Sequence, residues 1–129
     1  MCRLLRLAAL VAAFVFLAPI VAALAHDPYT GLKDPVTKSS CCGGADCGIL
    51  KVEPGTLTGE PDGYRLRLTE EQARRINPVR SGSVDTLIPW ERVQDLPKEW
   101  GADYRLCLPN YRVPHMAADF YCFWAPPNS

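Results

Sequence analysis

The cysteines are the residues of this chain whose types and spacing are best suited to chemistry, because thiols bind metal ions, exchange electrons and form covalent bridges. The chain contains six, and three of them lie close together in SSCCGGADC, residues 39–47. This segment lacks the C-x-x-C spacing of zinc knuckles and of thioredoxin-like redox centres. Which chemistry the thiols perform therefore depends on the compartment that the chain occupies.

The first 25 residues have the organisation of a secretory signal peptide. Arg3 and Arg6 form a basic start without acids, and an apolar run follows from Leu7 to Ala25 and ends in Ala-Leu-Ala, a typical cleavage site. The competing interpretation is a membrane anchor, since a spanning helix needs about 18 to 20 apolar residues, but Pro19 interrupts this run. We predict cleavage after Ala25, export to the periplasm or the medium, and no membrane span in the mature protein.

The predicted mature chain is short and nearly neutral. Removal of residues 1–25 leaves 104 residues and takes away two of the 14 basic residues but none of the 14 acidic ones, so the formal charge becomes −2. A chain of this length forms one domain with a core of modest size. The basic residues are scattered singly or in pairs, without the stripe that a phosphate backbone attracts, so we expect no nucleic-acid partner.

Outside the cytosol, small domains are commonly stabilised by disulfides. Five cysteines remain after cleavage, and we expect two bridges that join the N-terminal cluster to Cys107 and Cys122. Closing a loop as long as Cys47 to Cys107 would stabilise the fold by about 4 kcal/mol. A local Cys107–Cys122 bridge and other pairings remain open. A bridge between Cys41 and Cys42 would strain the peptide, so one of these two is the expected unpaired thiol, either buried or joined to a second copy in a disulfide-linked dimer.

The mature chain divides into an irregular arm, residues 26–46, and a single β-rich domain, residues 47–129. The arm is rich in Pro, Gly, Ser, Thr and Asp and has no hydrophobic periodicity. Besides its cysteines, its expected anchors on the domain are Tyr29, Leu32 and Val36.

The domain sequence predicts a mainly β fold with one short helix. Glu60–Gly63 is a turn signature between two extended runs, and Thr69–Gln72 is a capping box that predicts a helix ending near Ile76. We expect five to six short strands in a small bent antiparallel sheet or an open barrel, with a small α+β fold as the alternative. The strand-forming segments are 48–52, 55–59, 64–68, 84–90, 104–108 and 119–124.

The last two strand segments carry the C-terminal cysteines. Alternation in residues 104–108 places Cys107 on the same face as Arg105, opposite the leucines. That face is expected to be exposed to solvent, which conflicts with a buried cysteine. This conflict disappears if the arm covers that face and is bridged to it. Residues 119–124 are apolar on both faces, which predicts a central strand.

The two histidines are the other candidates for chemistry. After cleavage His26 is predicted to be the first residue, where its α-amine and imidazole form a chelate for Cu(II). His115 and Met116, with Asp119, would complete such a copper site. The alternative is a solvated terminal histidine in a mobile arm, and then the protein has no cofactor.

We expect no enzymatic activity, because the other candidate groups have simpler explanations. Glu70 and Glu71 lie in the first turn of the predicted helix, where acids stabilise the helix dipole. The Gly43-Gly44 pair lacks the strand, helix and lysine of a phosphate-binding loop. Trp100, in a loop that contains proline and glycine, is the aromatic residue most expected to be exposed and to form a binding surface.

The segments HDPYTGLKDP, SCCGGADC, IPWERV and YCFWAPP resemble small exported proteins of alphaproteobacteria in which a Cys-Cys pair and an Asp-Cys follow an N-terminal arm. The resemblance spans most of the mature chain. It implies export and disulfide bonding. It supplies no catalytic residue and no cofactor, because that family has no assigned activity.

Three hypotheses about function follow. The first is a non-enzymatic, periplasmic or secreted, disulfide-stabilised domain that binds a protein or small-molecule partner through the arm or an aromatic surface. The second is a periplasmic copper-handling protein that uses His26, His115 and Met116. The third is a thiol redox role for the unpaired cysteine.

Overall fold

The computed structural model describes residues 27–41, 45–115 and 118–129. The predicted signal peptide lies outside these ranges. Within them the chain forms seven β-strands, one α-helix and two 3-10 turns, the latter at Trp90–Arg92 and Lys98–Trp100. In chain order the longer elements are β1 Cys47–Ile49, β2 Leu57–Glu60, β3 Gly63–Leu68, α1 Glu70–Ile76, β4 Val84–Pro89, β5 Val93–Asp95, β6 Arg105–Cys107 and β7 Cys122–Ala125.

The strands form two sheets. One sheet has three antiparallel strands in the order β2-β3-β4, and the other has four strands in the order β1-β6-β7-β5, in which β5 runs parallel to β7. The prediction of a mainly β fold is confirmed. The described residues form seven strands in two sheets, whereas the sequence predicted five to six strands in one sheet or barrel. The additional strand, β5, has only three residues and no alternating pattern, and it is held by its pairing with β7.

The predicted hairpin and helix are confirmed and follow one another along the chain. Strands β2 and β3 pair around the turn that contains Pro61, and the alternation of β3 buries its apolar side chains, Tyr64, Leu66 and Leu68. In α1 the Thr69 hydroxyl accepts a hydrogen bond from the Gln72 N–H while the Gln72 side chain accepts one from the Thr69 N–H.

The two faces of the four-stranded sheet are covered by different parts of the molecule. Leu106 and Phe123 face the main core, which lies between this sheet, the three-stranded sheet and α1. The alternate residues of β6 and β7 face the other way, into a second cluster that contains Cys107, Cys122 and Trp124. Tyr29 and Cys41 of the arm complete this second cluster. The arm therefore covers the face of the sheet that the sequence pattern predicted to be exposed to solvent. Cys107, on that face, is fully buried.

One predicted anchor of the arm is wrong. Tyr29 is buried and Leu32 is half-buried, but Val36 is 51% exposed. The carboxylate of Asp34 accepts hydrogen bonds from the N–H groups of Val36 and Thr37, at 3.0 and 2.7 Å. This turn fixes the backbone and leaves the Val36 side chain on the outside.

Within the three described ranges, no helix has the length and apolar character that a membrane crossing requires.

Candidate functional site

Two disulfides fasten the arm and the strands beneath it. Cys47 and Cys107 lie opposite each other on β1 and β6, with 4.0 Å between their Cα atoms, and are bonded. Cys41, at the end of the described part of the arm, is bonded to Cys122 on β7 with a Cα separation of 5.3 Å. Both bridges join the N-terminal cluster to the two C-terminal cysteines, as expected from the sequence.

The remaining residues of the predicted metal and thiol sites are not brought together in the described parts of the chain. Cys42, His26 and Met116 lie outside the described residues, and His115 is exposed. Among the residues that the structure describes, no group of three or more His, Cys, Asp or Glu side chains is placed to hold a metal ion. The copper site and the thiol redox role stay predictions.

Trp100 takes part in the attachment of the arm. Its ring packs edge-on against Tyr29 and Trp124, at centroid distances of 5.0 and 5.5 Å, and it is half-buried. Arg105 donates hydrogen bonds to the Tyr29 hydroxyl and to the Trp100 carbonyl oxygen. The expectation that Trp100 is the most exposed aromatic residue is wrong, because Trp90 is 46% exposed and Trp100 packs against the arm. A binding surface at Trp100 stays a prediction.

The arm also carries one half of a buried ion pair that sequence reasoning missed. Asp34 is fully buried, and its Oδ2 accepts a hydrogen bond of 2.7 Å from Nε of Arg92, whose side chain is 11% exposed. Burial raises the pKa of the Asp34 carboxyl, but the N–H of Thr37 and the guanidinium of Arg92 outweigh burial, so this pKa lies below its ordinary value. Asp34 therefore stays ionised inside the protein.

Arg92 lines a cavity between the arm and residues 118–121. The cavity has a volume of about 320 Å³ and a mostly apolar lining. The Arg92 guanidinium carbon lies 4.0 Å from the centre of the Phe120 ring, a cation–π contact that holds the guanidinium plane against the wall. We call this space the arm cavity; its lining residues are Thr37, Ser39, Ser40, Arg92, Ala118, Phe120 and Tyr121.

Two of the three guanidinium nitrogens of Arg92 have acceptors among the described residues. Nε donates to Asp34, and Nη2 donates to the carbonyl oxygen of Tyr121 at 3.1 Å. Nη1 has no acceptor among the described residues. It is also not one of the fully buried partnerless nitrogens in the described chain, which are Arg80 Nε, Gln94 Nε2 and Arg105 Nε. The described residues therefore supply acceptors for two of its three nitrogens.

Two other cavities are larger, but their charged groups are exposed at the surface. The cavity of about 460 Å³ beside β3 and β4 contains Arg67 and Asp85, whose side chains lie 3.7 Å apart. The cavity of about 350 Å³ beside α1 contains Arg75, which is paired with Glu53 at 3.1 Å. Neither offers a charged donor as enclosed as Arg92.

A second buried ion pair serves the fold alone. Arg80 is fully enclosed and makes a double hydrogen bond to the Asp119 carboxylate, at 3.0 and 2.6 Å. Its terminal nitrogens also donate to the carbonyl oxygens of Pro109 and Ser83. Through these bonds the buried Arg80 side chain holds the loops around β4 and β7 together.

No protein-family model matches this chain, and no curated protein or solved structure shows significant similarity to it. A function for the arm cavity therefore has to follow from the geometry of this chain alone.

Proposed function

We propose that this chain is an exported, non-enzymatic binding domain whose binding site is the arm cavity. The observation that carries the proposal is the position of the arm: it is bonded to β7 through Cys41–Cys122 and forms one wall of a cavity that Arg92 also lines. The disulfides do more than stabilise the core in this proposal. They assemble the site.

Export is supported by two independent features. The first 25 residues have the pattern of a signal peptide. The two disulfides are of the kind that persists in oxidising compartments and is rare in the cytosol.

Binding, rather than catalysis, is supported by the groups that line the arm cavity. An arginine side chain stays protonated throughout the physiological pH range, so Arg92 donates hydrogen bonds and supplies charge but does not exchange protons. Thr37 and Ser39 add hydroxyl groups to the lining, and Ala118 and Tyr121 add apolar carbon atoms. Such a lining orients a ligand.

The export part of the proposal is tested by expressing the full chain with its own N-terminus in a Gram-negative bacterium and measuring the intact mass in the periplasmic extract. We expect a product that lacks residues 1–25, contains two disulfides and has one thiol that an alkylating agent modifies after denaturation. Full-length protein that stays in the cytosol with every thiol reactive would contradict it.

The binding part is tested with the same purified product, by saturation-transfer NMR against a library of small fragments. We expect ligands that bind the oxidised protein and lose binding when both disulfides are reduced, because the arm then detaches from β7. An oxidised protein that binds no fragment, or fragments that bind the reduced protein equally well, would contradict a site built by the arm.

A further inference from the structure

We propose that the two disulfides form one thiol-exchange site, which a small thiol reductant enters at Cys47 and which releases the arm at Cys41. In the product, Cys107 and Cys122 are bonded to each other. The inference uses the four bridged cysteines alone and no unpaired thiol. It concerns the attachment of the arm, so it holds whether or not the arm cavity takes a ligand.

The four bridged cysteines lie side by side on one face of the four-stranded sheet. Cys47 on β1 is opposite Cys107 on β6, and Cys107 is in turn opposite Cys122 on β7. All three belong, with Cys41, to the cluster that the arm covers. The carbonyl oxygen of Cys41 lies 3.4 Å from Sγ of Cys47. The two bridges are therefore direct neighbours.

Cys107 and Cys122 belong to different bridges, but they are placed to bond to each other. Residues directly opposite on antiparallel strands have Cβ atoms about 4.5 to 5.5 Å apart on the same face. A disulfide needs a Cβ separation of about 3.5 to 4.5 Å. Cys47 and Cys107 are opposite each other in the same way and are bonded in this structure. A small shift between β6 and β7 therefore permits a Cys107–Cys122 bond.

Cys47 is the point of entry for a reductant. It is 7% exposed, whereas Cys41, Cys107 and Cys122 have no exposed surface. It also lies on β1, an edge strand of its sheet, while β6 and β7 each pair with two neighbours. Because exchange requires the attacking sulfur to reach a sulfur of the bridge, attack on Cys47 is favoured over attack on the other three.

The exchange consists of three displacements, each of which forms one S–S bond and breaks one. A thiolate of the reductant attacks Sγ of Cys47, forms a mixed disulfide there and displaces the Cys107 thiolate. The Cys107 thiolate attacks Sγ of Cys122, bonds to it and displaces the Cys41 thiolate, which takes up a proton. A second reductant thiolate attacks the reductant sulfur of the mixed disulfide and displaces Cys47. Two thiols are thereby oxidised to one disulfide, and the protein gains two electrons and two protons.

The sulfur of the arm is the final leaving group because the arm is the part least fixed to the sheet. A thiolate enclosed among apolar side chains is costly, which favours capture of Cys107 by the neighbouring bridge. The N–H of Cys41 donates to the carbonyl oxygen of Leu32, within the arm. Movement of the arm alone therefore brings the Cys41 thiolate into water, whereas Cys107 and Cys122 are held in central strands.

The test is reduction of the folded mature protein with glutathione at about pH 8, where part of the reagent is thiolate. The protein carries Cys42→Ser, so that no fifth thiol takes part. After alkylation it is digested with trypsin without further reduction. Trypsin leaves Cys41 and Cys47 together in residues 39–51 and separates Cys107, in residues 106–112, from Cys122, in residues 113–129.

The masses of the linked peptides distinguish the possible products. Before reduction the two bridges join all three peptides. We expect the product with one bridge to contain residues 106–112 linked to residues 113–129, with residues 39–51 free and alkylated at both cysteines. Residues 39–51 linked to either of the other peptides alone would overturn the inference, because one original bridge would then have been reduced without exchange. Complete resistance of both bridges to glutathione would overturn it as well.

A matched variant tests the point of entry. Cys47→Ala with Cys107→Ala, in the same Cys42→Ser protein, removes the exposed bridge and leaves the arm bridge in place. Glutathione should release Cys41 at least about tenfold more slowly in this variant, because a fully enclosed bridge is reached only by local unfolding. Alkylation of Cys41 over time measures both rates, at a temperature where circular dichroism shows both proteins folded. Equal rates would contradict entry at Cys47.

Discussion

At the residue scale, the pair formed by Asp34 and Arg92 has two roles. Asp34 closes the turn of the arm by accepting from two backbone N–H groups, and it fixes Arg92 through Nε. Arg92 in turn lines the arm cavity and donates to the carbonyl oxygen of Tyr121. The removal of one member of a buried ion pair leaves the other charge without compensation, which costs far more than the loss of a surface pair.

The first prediction concerns this pair. Asp34→Asn should lower the free energy of unfolding by about 3 kcal/mol, because Arg92 is left charged and enclosed. The measurement is urea unfolding followed by tryptophan fluorescence. Asp95→Asn, at an exposed position of β5, is the matched control and should change the free energy by less than about 0.5 kcal/mol. Equal losses in the two variants would contradict a structural role for the pair.

The second prediction concerns the dependence of stability on pH. The folded-state pKa of Asp34 is lowered, so its carboxylate stabilises the fold above its unfolded pKa of about 4, and this contribution is lost as the pH falls through the lower folded pKa. Between about pH 5 and pH 2 the stability of Asp34→Asn should therefore fall less steeply than that of the wild type. A hydrogen bond from Arg65 also lowers the pKa of Asp85. Asp85 is present in both the wild type and Asp34→Asn, so it does not contribute to the difference between them. Identical slopes would contradict the prediction.

At the element scale, the hairpin is closed by a glycine that lies against the neighbouring strand. A Cβ atom on Gly63 would overlap the carbonyl oxygen of Ile88 and lie 2.8 Å from its carbonyl carbon. Gly59, on the partner strand β2, has no heavy atom within 4 Å of such a Cβ. The two glycines of one hairpin thus differ in the space around them.

The third prediction uses this difference. Gly63→Ala should lower the free energy of unfolding by about 1 to 3 kcal/mol, because β3 and β4 have to move apart. Gly59→Ala should change it by less than about 0.5 kcal/mol. Thermal unfolding followed by circular dichroism measures both, and an equal shift in the two variants would contradict the close approach of Gly63 to Ile88.

The elements that sequence alone predicts are those with a local signal. The alternation of β3, the turn at Pro61 and the capping box at Thr69 all act within a few residues, and the structure has each of them. Strand β5 lacks such a signal, because its three residues are ordered by pairing with β7, about 30 residues further along the chain. The division into two sheets is not predictable from local sequence either, because it depends on pairing between strands that are distant along the chain.

At the scale of the whole molecule, two long loops are closed by disulfides. Cys41 and Cys122 are 81 residues apart, and Cys47 and Cys107 are 60 apart. In the chain-entropy description each bridge stabilises the fold by about 4 kcal/mol, a large share of the 5 to 15 kcal/mol typical of a domain. Only the first bridge attaches the arm.

The fourth prediction separates the two bridges. Replacing Cys41 and Cys122 by alanine should lower the free energy of unfolding by about 2 to 5 kcal/mol and should expose the arm to trypsin at Lys33 and Lys38. The control pair, Cys47 and Cys107 replaced by alanine, should lose similar stability but keep the arm attached to β7. Proteolysis of the folded proteins, followed by mass spectrometry, measures the difference. Equal rates of arm cleavage in the two double variants would contradict it.

The sequence predicts the scaffold of the candidate site better than the site itself. The cysteine cluster, the arm and the apolar character of residues 119–124 together indicate that the arm is bridged to a central strand. The pairing of Asp34 with Arg92 joins residues 58 positions apart, and no local pattern relates them. Burial of both charges follows only from the path of the arm across the sheet.

The most direct test of the account is a disulfide map of the exported protein, obtained by digestion without reduction and fragmentation of the linked peptides between Cys41 and Cys42. The account predicts that Cys41 is linked to Cys122 and Cys47 to Cys107, with Cys42 unlinked. A link from Cys42 to Cys122, or a local link between Cys107 and Cys122, would contradict it, because the arm would then not form the wall of the cavity.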